Sequence, residues 1–140
     1  MKLFIALLVL LNSFSAFAER NADCNGKVVI THNFPYAFTE ERSTRVYLND
    51  VDMQRLNIIL VETGEHFRVL NKFRNGDDLN YFSASPMDET ERVRVILPVM
   101  ALIGVPRNLT IIARISRLTE DQRIALFEDY TVTCNFTISY

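Results

Sequence analysis

The chain has 140 residues, 49% of them hydrophobic, with 15 Lys and Arg against 17 Asp and Glu for a net charge of −2. That size suits one hydrophobic core, and the weakly acidic balance gives no electrostatic reason to bind nucleic acid or anionic lipid. Twelve of the cations are arginines, scattered along the chain as on solvated strand faces rather than gathered in a phosphate-binding stripe.

The chain opens with Met1-Lys2, an apolar run over residues 3–11 and a softer stretch ending Ala16-Phe17-Ala18. One cation, an apolar run shorter than the ~20 residues that span a bilayer, and small residues at Ala16 and Ala18 predict a cleavable secretory signal peptide over residues 1–18. Cleavage falls between Ala18 and Glu19, leaving one domain over residues 19–140 with a net charge of −3 once Lys2 is gone. The expected location is periplasmic or secreted. Lipid attachment is not expected, because Cys24 follows Ala22-Asp23 and stands beyond the cleavage site. No later segment has the length to form a transmembrane helix.

After Gly26, residues 28–38 alternate apolar and polar and predict a strand, interrupted or set at an edge by Pro35. Shorter strands are expected at 44–48, 56–61, 67–73, 79–83, 92–99 and 109–115. The segments 52–62 and 95–105 are apolar enough to read as either strand or helix. Asn75-Gly76 between two strand-like runs is a strong hairpin signal, so the strands at 67–73 and 79–83 are expected to pair. Gly64 marks another reversal, and Pro86 and Pro106 mark breaks in chain direction. Thr119-Glu120-Asp121-Gln122 has capping-box spacing and predicts a short helix near 119–127. The last eleven residues, 130–140, alternate strictly and predict a strand with Cys134 on its apolar face. Seven to eight short strands with regular turn signals predict an all-β fold, an antiparallel β-sandwich, Ig-like or related.

The two cysteines, Cys24 and Cys134, are expected to form a disulfide in an oxidising compartment. No Cys-x-x-Cys, nucleophile elbow or ligand-spaced histidine pair occurs, so no catalytic residue, metal ligand or cofactor is assigned. His32 falls on the apolar face of its strand and is expected as a buried, hydrogen-bonded core histidine, whereas His66 is expected at an exposed turn. Asn75, Asp77, Asp78 and Asn80 gather oxygen ligands, but turn chemistry explains them without calcium. Asn108 and Asn135 head Asn-x-Thr sequons, which matter only in a eukaryotic secretory pathway.

The closing alternation with its terminal aromatic resembles the last strand of outer-membrane barrel proteins. The resemblance covers residues 130–140 and implies, as an alternative, a small membrane barrel. The reading from the residues is an exported, disulfide-stapled binding, adhesion or structural module rather than an enzyme. Its partner would be a protein or an envelope component, not nucleic acid. An extracytoplasmic hydrolase is a further alternative, and an exposed first or last strand would offer an edge for pairing with another chain.

Overall fold

The computed structural model describes residues 19–33, 35–83 and 90–139. The expected signal peptide, Pro86 and Tyr140 lie outside the described residues. Eight strands follow one another: β1 (Glu19–His32), β2 (Phe38–Asn49), β3 (Arg55–Leu60), β4 (His66–Asn75), β5 (Asp78–Ser83), β6 (Glu91–Pro98), β7 (Leu109–Leu118) and β8 (Ile124–Ser139). A single 3-10 turn, Val99–Leu102, follows β6. Every strand pairs antiparallel with its neighbours in sequence, and β8 returns to β1, so one sheet closes on itself. The closing seam is long, running from Glu19 opposite Ser139 to His32 opposite Leu126.

The all-β, antiparallel expectation and the strand count hold. The pairing runs through one continuous sheet that closes from β8 back to β1. Period-two alternation gives each strand one dry and one wet face, as a sandwich and a barrel both require, and the β1–β8 seam closes the sheet. That seam also removes the free edges expected at the first and last strands, since each pairs on both sides.

Inward positions form one apolar cluster that includes Val28, Val46, Leu48, Ile58, Val69, Tyr81, Val95, Ile115, Val132 and Phe136, all buried. Eight strands enclose a space that side chains alone can fill, and here the filling is apolar. Outward positions are largely polar: Asp23, Asn25 and Lys27 on β1, and Thr131, Thr133 and Asn135 on β8, are exposed. No helix among the described residues is long and apolar enough to cross a membrane.

Local chemistry explains the boundaries. The first strand begins earlier than residue 28 and ends at His32, so Pro35 sits in the β1–β2 connection rather than inside a strand. Gly26 lies where β1 presses on β8: a Cβ there would stand 2.1 Å from the Thr131 carbonyl oxygen and 2.7 Å from Val132 Cα. The β4–β5 hairpin turns at Gly76-Asp77 with Asn75 opposite Asp78, and Gly76 supplies a φ of 61°. Gly64, at φ 75°, serves the β3–β4 reversal.

The helix expected near 119–127 is absent. The Thr119 amide donates to the Arg123 carbonyl and the Gln122 amide to the Thr119 carbonyl across a tight turn, with Gln122 at φ 66°, and β8 begins at Ile124. The Thr119 hydroxyl accepts from the Arg123 amide, so the expected capping chemistry closes a hairpin instead. A two-turn helix has little stability of its own, whereas residues 124–130 gain a ladder to β7.

Candidate functional site

The residues singled out from sequence do not converge. Cys24 and Cys134 are directly opposed on β1 and β8, bonded and fully buried, and they staple the closing seam. The bond is compatible with an extracytoplasmic location. Glu19 is the first residue of β1, and Ala18 lies outside the described residues. Asn108 and Asn135 are exposed and adjacent, the Asn135 side-chain oxygen accepting from the Asn108 amide.

His32 is not the core residue expected. It lies near one end of the barrel, half-buried, its ring stacked on Phe38 at 3.9 Å, and its Nε2 has no hydrogen-bond partner among the described residues. His66 is exposed, as expected. Of the suspected oxygen ligands, Asn80 is engaged elsewhere, and among the described residues no cluster of His, Cys, Asp or Glu is placed to hold a metal ion.

Two charged assemblies emerge. The first closes one mouth of the barrel. Arg117, near the end of β7, donates to both oxygens of Glu65 from the β3–β4 turn and, through Nε, to Glu128. Glu91 stands 3.6 Å away, and the Tyr130 hydroxyl donates to Glu128 at 2.8 Å. The guanidinium also lies over the Phe67 ring. Arg117 holds the Glu65 carboxyl below its ordinary value, chiefly by hydrogen bonding, while burial and the Glu128 charge push the Tyr130 phenol up. Each group is committed to another and Arg117 is only 21% exposed, so the cluster is a polar plug rather than an open site.

The second assembly lies on the outer wall of β4–β8. Because alternate residues share a face, Arg92 and Arg94 both point outward from β6. The register sets Arg92 opposite Ser116 and Arg94 opposite Arg114, and then Arg114 opposite Asp129. On the other side, Phe82 of β5 stands opposite Arg94. A β-bulge at Lys72 shifts the β4 register, so that Phe73 pairs with Asn80. That slip turns Phe73 out of the core and sets it 5.8 Å from Phe82.

The result is a cleft of about 450 Å³ lined by Lys72, Phe82, Ser83, Arg92, Val93, Arg94, Arg114 and Ser116. A second hollow of about 280 Å³ continues past the Arg94–Arg114 pair over Ile96 and Ile112. The arginines are held in place. Arg94 donates to the Asn80 side-chain oxygen at 3.0 Å and lies 5.5 Å from the Phe82 ring centre. Arg114 makes a bidentate contact with Asp129 at 2.6 and 3.2 Å over the Phe127 ring, and that carboxylate raises its affinity for the proton. Among the described residues, Lys72, Arg92 and Arg94 have no carboxylate at ion-pair distance, so Asp129 offsets one cation of four.

Like charges directly across a sheet destabilise it, so the Arg94–Arg114 pair costs stability. Fixed guanidiniums beside a ring and apolar floor can receive an anion with little reordering. Sequence reading missed this site because residues 72, 92, 94 and 114 are far apart in the chain; the Arg92-x-Arg94 pair was the one local signal. No protein-family model, curated protein or solved structure matches this chain.

Proposed function

We propose that this protein is an extracytoplasmic binding module, not an enzyme, and that its barrel is a rigid scaffold presenting the outer β4–β7 cleft to an anionic ligand. The observation that carries the reading is the gathering of Lys72, Arg92, Arg94 and Arg114 around one cleft in a chain whose overall charge is negative. The seam disulfide supports a life outside the reducing cytosol. The exterior argues against the membrane-barrel alternative: such a barrel turns an apolar band toward lipid and polar residues inward, the reverse of the pattern here.

Titration of the oxidised protein with sulfate, followed through backbone amide resonances, tests the reading. Saturable shifts are expected at Phe82, Arg94, Arg114 and Ser116, weakening with added sodium chloride and vanishing in Arg94→Gln. Shifts that are absent, or that spread evenly over the surface and survive Arg94→Gln, would overturn it.

A further inference from the structure

The cleft is cationic at its rim and apolar in its floor, and the two properties point to different parts of one ligand. The charged ends of Arg92, Arg94, Arg114 and Lys72 are supplied by exposed residues. The floor offers the half-buried Phe82 ring and the aliphatic stems of the arginines, with the Ser116 hydroxyl as a neutral polar group. Val93 and Ser83 line the cleft with side chains turned toward the barrel interior. A bare inorganic anion would need the guanidiniums but not a space of about 450 Å³ with a ring along it. A neutral apolar ligand would need the ring but would bury uncompensated cations.

Resting on the proposed anion-binding role, we infer that the cleft takes an amphiphilic organic anion: one carboxylate, sulfonate or phosphate monoester group carried on an aromatic or acyl body. The anionic group sits over Arg94, which Asn80 holds from below and Arg92 and Arg114 flank. The body lies along the Phe82 ring and the aliphatic stems of the arginines. The bulge at Lys72 serves this arrangement, since it brings Phe73 to the same side as Phe82 and extends the apolar wall.

The test uses 8-anilinonaphthalene-1-sulfonate and its uncharged relative N-phenyl-1-naphthylamine as probes of the folded, oxidised protein. The chain has no tryptophan to interfere. Enhanced fluorescence from one saturable site is expected for the sulfonate, with the neutral probe at least about tenfold weaker, the size of one charge-assisted contact. Arg94→Gln should weaken the sulfonate by a similar factor. Phe82→Ser should weaken it while leaving the sulfate-induced amide shifts in place. Should Phe82→Ser fail to fold, Ser116→Asp, which sets a carboxylate beside the arginines at a partly exposed position, should abolish sulfonate binding. Equal binding of both probes, or sulfonate binding unaffected by Arg94→Gln, overturns the inference. Sulfate shifts without sulfonate binding overturn it too but leave the anion-binding role standing; loss of both removes both.

Discussion

Breaking the Cys24–Cys134 bond is the most direct test of the architecture, because the bond ties the two strands whose pairing closes the barrel. The linked residues are 110 apart in sequence, a loop whose restriction in the unfolded chain is worth about 4–5 kcal/mol on the chain-entropy account. At roughly 3–6 °C per kcal/mol for a domain of this size, reduction should lower the melting temperature by on the order of 15–25 °C. Reduced protein keeps both sulfurs in the core, so it isolates the cross-link. The double variant Cys24→Ala, Cys134→Ala also empties two fully buried positions and should lose about 1–2 kcal/mol more. Denaturant unfolding of the three forms, monitored by circular dichroism, gives both differences. The dependence on denaturant should steepen on reduction as the unfolded chain expands. The seam retains its backbone ladder, so amide protection in β1 and β8 should persist in the reduced native state. Oxidised and reduced forms unfolding within about 1 kcal/mol of each other would refute the reasoning, because the loop-closure contribution would then be missing.

Two further changes probe the fold elsewhere. Gly26→Ala pushes a methyl group into the backbone of β8, which a side-chain rotation cannot relieve, and should cost about 3 kcal/mol or more in denaturant unfolding, at the upper end for overpacking; a change under about 1 kcal/mol would show that the seam is looser than described. Glu65→Gln should cost about 1 kcal/mol at neutral pH, the charged-hydrogen-bond value discounted because a third of the Glu65 side chain meets water. Arg117 holds Glu65 below its ordinary value of 4.5, so this contribution is full above about pH 4.5 and fades as pH falls through the folded value. Wild type and variant should therefore converge in acid, and a gap that widened there would contradict the assignment.

Most strand positions were legible because alternation is a local property: the stretches read at 44–48, 67–73, 79–83 and 109–115 all lie within observed strands. What alternation does not contain is the identity of the neighbour. The sheet closes because β1 and β8, the two longest strands, find each other across the whole chain, a pairing that only the cysteines announced. The bulge at Lys72 was equally silent. Phe73 continues the apolar face of Phe67 and Val69, and nothing in its local sequence says that it leaves the core. Thr119 failed for a different reason: a hydroxyl that caps a helix also closes a turn, and the choice was made by the ladder waiting for residues 124–130.

The outer cleft follows from the same division between local and long-range information. Arg114 reaches Arg94 because β7 is held in register by Ile111, Ala113 and Ile115, all of which must face the core. A slip by one residue would carry Arg114 inward and turn those three side chains to water, a loss far larger than the repulsion between two surface arginines. The apolar face of β7 therefore fixes the charge pattern on its other side. The arginine pair is imposed by the core, and the local cost of placing like charges together is borne because relieving it through register would dismantle the interior.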